Sequence, residues 1–557
     1  MPSIRSVLPR RSFLRKAAAF SLLPRTAFAA MQQQHPGMSM PVPAAPSAPL
    51  LHSLELKPFV DVLPLPQLAR PTHVPGRLDP HHTNQHAGSH QFRIGMKEIH
   101  AKVHRDVPAT RMWVYHDLAN PSAQASAVAP LIEAVSHQPV QIEWVNDLPT
   151  HHFLPIDHSL HGCGKDIPDV RAIVHLHGAR VPSGDDGHPD DWYVPSQSLT
   201  CNYPLQQDAT ALWYHDHAMG LNRLNIYAGL FGMMLVRDQN EDALHLPSGK
   251  YELPLVLYDR NFYADGQFYY PDSGDAEHPW VSEFAGDAIL INGKIRPYLE
   301  VEPTIYRLRL VNAANSRFFQ LGLSNKQALI QIGTDQGLLP AAVEMPAITF
   351  APGERLDILI DFSRPAGQTI HLRNGSFDIL QFRVGKTSVA SSPAAPLAKS
   401  LRTINRTAVA DAVITRTITL NEYQDKVGNS MEMLLNRKHW HEPVTERPKL
   451  NTTEIWEFVN LTEDVHPMHL HLVRFQVLDR RVFDTFAYLM HKELKFLAAA
   501  EFPALNEHGW KDVVQCPPGM VTRIIVKFEG YTGKYLYHCH ILEHEANDMM
   551  RPFEVIA

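Results

Sequence analysis

The sequence predicts an all-β protein built from three β-sandwich domains, and three observations lead there. An alternating strand ending in Val-Asn recurs at Val140–Asn146, Tyr306–Asn312 and Ile455–Asn460, with the asparagines 166 and 148 residues apart. A Pro-Gly turn before a half-buried strand also recurs, at Pro352-Gly353 ahead of Arg355–Phe362 and at Pro518-Gly519 ahead of Thr522–Phe528. Finally, 44 prolines against 29 glycines break helices often, which favours many short strands joined by turns. At 557 residues the chain is too long for one ordinary core, and the repeat divides it near 50–240, 241–395 and 396–557.

Ahead of these domains, residues 1–29 read as an export signal. Arg10-Arg11-Ser12-Phe13-Leu14 precedes an apolar stretch from Ala17 to Leu23, and Ala27-Phe28-Ala29 offers a small-x-small cleavage site. The pattern resembles a twin-arginine signal, implying the Tat translocase as an export partner and a periplasmic or secreted product. The signal holds six basic residues and no acid, so its removal takes the formal charge from -7 to -13. That acidity argues against nucleic acid as a partner. Residues 30–49, rich in Pro, Ala, Gln and Met, read as a flexible arm. No apolar run approaches the roughly 20 residues of a membrane span.

The 33 histidines raise metal binding, and their arrangement sharpens it. Two His-x-His pairs fall in the first domain, His175-Leu176-His177 and His215-Asp216-His217. Two more fall in the third, His469-Leu470-His471 and His538-Cys539-His540. Alternate residues of a strand share a face, so both imidazoles of each pair point the same way. Four pairs split between two domains imply a site assembled across their interface. His466, Cys539 and His544 add two nitrogens and a sulfur, the ligand set of a blue-copper centre, and Met549 is either its axial thioether or ordinary packing. No Cys-x-x-Cys occurs, which disfavours structural zinc. Cys163 and Cys201 could bridge, a question the sequence leaves open. His151, His152, His158 and His161 form a further cluster without ligand spacing and read as a solvated loop.

At His175–Gly178, Trp213–His217, His466–His471 and Tyr537–Pro552 the chain resembles the multicopper oxidases, most closely the bacterial spore-coat laccase, bilirubin oxidase and phenoxazinone synthase branch. The resemblance runs from about residue 50 to the end. It implies cupredoxin-like Greek-key sandwiches and four copper ions: type 1, type 2 and a binuclear type 3 pair. Carried over, type 1 falls on His466, Cys539 and His544 with Met549 axial, type 2 on His175 and His469, and type 3 on His177, His215, His217, His471, His538 and His540. Asp186 and Glu545 resemble two acids the family places beside the trinuclear site, which implies a catalytic part for both in carrying protons to reduced oxygen, although each also reads as a solvated carboxylate. Asp216 stands where Cys539 does, so the first domain should lack a type 1 copper, and the middle domain should be structural.

The activity implied is oxidation of phenols, aromatic amines or a bilirubin-like tetrapyrrole, coupled to reduction of dioxygen to water. A periplasmic cuprous oxidase is the nearest alternative, with Cu(I) as reductant, although a methionine-rich insertion near type 1 is lacking. A copper carrier or inert cupredoxin scaffold is disfavoured because the ligand set is complete. Electrons are expected to enter over the edge of His544. The apolar segment from Asp484 to Gly509, with Phe486, Tyr488, Leu489, Met490 and Phe496, either borders that entry or forms a hydrophobic cover.

Overall fold

In a computed structural model the described residues are 46–73, 90–120, 126–386, 398–426 and 428–557. The export signal and all but the last four residues of the arm lie outside them. Among the described residues no helix is long and apolar enough to cross a membrane. The strands form three pairs of sheets that follow one another along the chain.

The first pair runs from His90 to Arg237. One sheet orders Thr110–Asp117, His90–Ala101, Val140–Asn146 and Ser198–Tyr203; the other orders Ile132–Val135, Phe231–Arg237, Thr210–Asp216 and Val174–His177. The third pair repeats this plan. Its outer sheet contains Ala412–Gln424, Thr453–Asn460 and Met520–Lys527, and its inner sheet orders Val513–Cys516, His466–Leu470, Gly533–Cys539 and Met550–Val555. Between them the middle pair, from Glu252 to Val384, has sheets of eight and five strands. These are three cupredoxin-like β-sandwiches.

The recurring Val-Asn strand occupies the same place in each. It pairs parallel with the first strand of its sandwich and antiparallel with a later one: Ser198–Tyr203, Arg355–Asp361 and Met520–Lys527 respectively. The asparagine has a job that explains the repeat. Each is fully buried, and its Oδ1 accepts from the amide two residues on: Leu148, Ala314 and Thr462, at 3.2, 3.0 and 2.9 Å. The side-chain amides of Asn312 and Asn460 donate to the carbonyls of Arg317 and Asp464 in the turn beyond, and that of Asn146 to the Tyr193 carbonyl, so an Asx turn ends the strand three times over.

The apolar cores of the first and third sandwiches merge into one cluster that one face of the middle sandwich joins, while the middle sandwich also has a cluster of its own. Trp113, Trp144, Trp213 and Trp456 lie in the merged core, fully buried. Burial of each large side chain contributes on the order of 2–3 kcal/mol. The Asp484–Gly509 segment packs on the third sandwich through few of its apolar residues. Its helix Thr485–His491 is capped by the Asp484 carboxylate and inserts only Tyr488 against Val459, Phe483 and Val521, leaving Leu489 and Met490 exposed.

Candidate metal centre

The site begins with register. In the first sandwich His175 lies opposite His215 across an antiparallel ladder, and in the third His469 lies opposite His538. The amides of His217 and His540 then donate to Ile173 and Pro467, both at 2.8 Å. Two equivalent ladders thus present four imidazoles each to the seam between these sandwiches. Ring centroids of His177 and His469 stand 3.6 Å apart, and those of His175 and His471 3.8 Å. All eight imidazoles are buried.

Six of the eight imidazoles have a partner for the ring nitrogen turned away from the cage. His175 and His469 donate through Nδ1 to the backbone carbonyls of Asp186 and Asp512, at 2.6 and 2.9 Å. His215 and His538 donate through Nδ1 to the carbonyls of Asp216 and Cys539, at 2.9 and 3.1 Å. The Asp186 carboxylate takes His471 Nδ1 at 2.7 Å, and the Asp512 carboxylate takes His177 Nε2 at 3.1 Å. On the inward side Nε2 of His175, His215 and His469 and Nδ1 of His177 have no hydrogen-bond partner; Nδ1 of His217 and both nitrogens of His540 are likewise unpaired. Nε2 of His538 lies 3.4 Å from Nε2 of His217 and 3.3 Å from that of His471. A buried acceptor left without a partner costs about 1–3 kcal/mol, so this many together fit a metal and little else.

The second group lies on the opposite face of the same strand. Sγ of Cys539 is 3.5 Å from His466 Nδ1 and 3.6 Å from His544 Nδ1, and the two imidazole nitrogens are 3.2 Å apart. Met549 is fully buried, its amide donating to the His544 carbonyl at 2.9 Å and its carbonyl accepting from the Cys539 amide at 3.0 Å. Thr462 sets the tautomer of His466. The Thr462 hydroxyl donates to Asn460 Oδ1 at 2.9 Å and lies 2.6 Å from His466 Nε2. Its own hydrogen being committed, the hydroxyl oxygen accepts from Nε2–H, which leaves Nδ1 as a lone pair aimed at the sulfur side.

Burial tunes both groups toward ligation. It lowers His466 and His540 to about 3 and His217 to about 4, and holds His175, His177, His215, His469, His471 and His544 well below the usual histidine range. Neutral imidazole is the form a metal binds. Burial also pushes the Cys539 thiol well up, so a metal must displace its proton to bind.

Two sequence expectations are modified here, and a third gains detail. Cys163 and Cys201 are both free buried thiols, so the bridge left open does not form. His544 is fully buried with its Nε2 enclosed, so its ring edge is not a surface for direct contact. The middle sandwich contributes no imidazole to the two groups among the described residues, yet it is more than a spacer. Its Arg355, fully buried, grips the Asp512 carboxylate in a bidentate pair, with Nη1 2.6 Å from Oδ1, while Gln336 donates to Oδ2 at 2.5 Å. Gly353, at φ +80, lies where a Cβ would come within 2.5 Å of the His540 ring. Glu543 is held by Tyr270, by Asn315 at 3.1 Å and by Arg223 at 3.2 Å, which anchors the short helix Leu542–Ala546 carrying His544.

Asp186 and Glu545 are both deep inside, not solvated. Burial raises the Asp186 carboxyl well above its ordinary range. Burial also raises Glu545, but the imidazoles of His538 and His217 outweigh it and hold that carboxyl below the usual range. Sequence reading missed Asp512, Arg355 and Thr462. Only Thr462 carried a signal, as a hydroxyl two residues past the repeated asparagine and four before His466.

A thiol-imidazole group joined through one strand to an eight-imidazole cage, on cupredoxin-like sandwiches, defines a copper redox protein. Residues 413–557 and 167–241 match two family models, each described as multicopper oxidase. The chain is 41% identical to a laccase of Bacillus stratosphericus over 90% of its own length and 100% of that protein, and 41% identical to a laccase of Bacillus subtilis over 90% and 99%. Among solved structures, a laccase from Pediococcus acidilactici superposes with a TM-score of 0.70 at 26% identity, covering 90% of this chain and 96% of that one. The multicopper oxidase McoA from Aquifex aeolicus gives 0.70 at 27%, covering 89% and 99%. The chain belongs to the multicopper oxidases, of the bacterial laccase-like kind: a copper-dependent oxidoreductase with dioxygen as acceptor.

Proposed function

We propose that this oxidase draws electrons from phenols, aromatic amines or bilirubin-like tetrapyrroles, and that His466, Cys539, His544 and Met549 hold the type 1 copper that receives them. The type 2 copper is assigned to His175 and His469. The type 3 pair is assigned to His217, His471 and His538 on one side and His177, His215 and His540 on the other. Copper bound there supplies one-electron transfer and the reduction of dioxygen to water. One observation carries the reading: the Cys539 sulfur faces His466 and His544 while its two neighbours, His538 and His540, face the cage. One backbone segment thus connects the two groups covalently.

Protons need a carrier beside the cage, and Glu545 is assigned that role. Asn222 donates to its Oε1 at 2.6 Å, which fixes the carboxylate. Its Oε2 lies 3.3 Å from His538 Nδ1, whose hydrogen is committed to the Cys539 carbonyl, so Oε2 is the oxygen left to take and return a proton. Asp186 is a positioning residue that holds His175 and His471. Glu545→Gln is expected to lower dioxygen turnover by roughly 100-fold at full copper content, by analogy with other general acid–base groups. Unchanged oxygen uptake with copper intact would overturn the relay.

The laccase relatives support the organic substrate class. Oxygen uptake measured side by side with a phenol, bilirubin and Cu(I) tests it; turnover of Cu(I) alone would replace the aromatic reading with the cuprous one. The twin-arginine pattern at Arg10-Arg11 supports export by the Tat translocase to the periplasm or beyond. Retention of the full-length precursor by the R10K/R11K variant tests that assignment. Divisions near residues 240 and 395 fit the gaps between the three sheet pairs.

A further inference from the structure

His161 does not keep company with His151, His152 and His158. His152 packs against Trp113, with ring centroids 4.2 Å apart, and His158 Nδ1 bonds the Cys163 carbonyl at 2.8 Å. His161 instead crosses the seam to the third sandwich. There its ring centroid lies 5.7 Å from that of His441, which lies 5.9 Å from that of His439. Imidazoles of the copper groups show the same spacings: 5.0 Å for His466 and His544, 5.9 Å for His175 and His469.

The polar surroundings are those of a built site. Asp548, buried, accepts from His161 Nδ1 through one oxygen and from His439 Nδ1 through the other, both at 3.1 Å. Glu432 approaches the same His439 nitrogen at 2.9 Å. A carboxylate that engages Nδ1–H fixes the imidazole tautomer and leaves Nε2 as a basic lone pair, which is how metal-binding histidines are backed. The loop bearing His439 and His441 is also rigid. Arg551, fully buried, donates to the carbonyls of His439, Trp440, Glu442 and Pro443, and the Trp440 indole donates to Asp190 at 3.2 Å. Asp190, Glu432 and Asp548 make the surroundings anionic, and His439 and His441 are open to solvent.

We propose that His161, His439 and His441 bind one divalent transition-metal ion of borderline softness, Cu2+ or Zn2+, with Asp548 as the carboxylate that orients two of the three ligands. Three imidazoles suit such ions and not Mg2+ or Ca2+. The site is separate from the ten copper-assigned histidines and does not depend on their assignment.

The test uses the copper-loaded enzyme, freed of loosely held metal and titrated calorimetrically with Zn2+, with Mg2+ as comparison. One Zn2+ per chain is expected, with no Mg2+ heat. In H439N/H441N, whose altered side chains lie at the surface, affinity should fall by at least about 100-fold; in D548N, which keeps all three ligands, by about 10- to 100-fold. H278N, at an exposed histidine elsewhere, should bind as wild type. Cu2+ added to the wild type should give one further electron paramagnetic resonance signal that H439N/H441N lacks. No Zn2+ uptake by the wild type, or equal uptake by H439N/H441N, overturns the site.

Discussion

The first and third sandwiches use one ladder for two purposes. Toward the seam they are alike: each presents two His-x-His pairs in the same register, with the same Nδ1-to-carbonyl bonds behind them. Away from the seam they part. Cys539 meets His466, His544 and Met549, whereas Asp216, at the same place in the ladder, accepts from the amides of Ile173 and Ala218 at 3.1 Å and from Asn225 at 2.8 Å. Counting outward from the matched residues, Ala172, Leu221 and Ile226 stand where His466, His544 and Met549 do, and all three are buried. The first sandwich fills the place of the Cys539 group with hydrocarbon and a satisfied carboxylate. Strand geometry therefore fixes the cage, while a few side chains on the other face decide whether a second ligand group forms there.

The comparison breaks most visibly at the matched pair itself. Cys539→Ser is expected to abolish the intense visible absorption and the oxidase activity while leaving thermal unfolding nearly unchanged. Asp216→Asn should do the reverse. It turns a side-chain NH2 toward a backbone N–H that needs an acceptor, for about 1–3 kcal/mol of stability, with the visible band retained. A blue band that survives in Cys539→Ser sinks the division of roles between the two sandwiches.

A subtler asymmetry concerns two aspartates. Asp186 holds His175 by its carbonyl and His471 by its carboxylate; Asp512 holds His469 by its carbonyl and His177 by its carboxylate. Only Asp512 also carries a guanidinium from the middle sandwich. Asp512→Asn leaves Arg355 a buried cation without its counter-charge, a loss of about 3–5 kcal/mol, and should cut copper retention by roughly 100-fold. Asp186→Asn keeps an acceptor for His471 and should cost about 10-fold. Copper per chain after dialysis and urea midpoints measure both. Equal losses would show that the middle sandwich does not brace the cage.

What the sequence disclosed follows periodicity. The three sandwiches show in the repeated Val-Asn strands and Pro-Gly turns, and both histidine faces show in His-x-His, because a strand's alternation is readable from residue order alone. Contacts made across sandwiches are not. Asp512 and Arg355 are 157 residues apart and meet only through tertiary packing. His161 stands beside His151, His152 and His158 in sequence, although its partners are His441, His439 and Asp548. Enclosure of His544 is likewise a property of what packs over it.

The smallest expected effect isolates how the shared Asx turn was adapted. Asn146, Asn312 and Asn460 all accept from the amide two residues later, but the residue there is Leu148, Ala314 or Thr462. A hydroxyl appears only in the sandwich that has a histidine at position 466 to orient. Thr462→Val keeps the volume and the backbone bond but removes the acceptor for His466 Nε2–H, at about 1 kcal/mol. With Nε2–H unheld, the tautomer that places the lone pair on Nδ1 loses its advantage. Type 1 copper should then be lost roughly 10-fold more readily to a chelator, with the cage coppers unaffected. Thr462→Ser, which restores the hydroxyl but not the methyl, should recover most of the difference. If valine and serine behave alike, the turn's adaptation is one of packing and the hydroxyl does not govern the ligand.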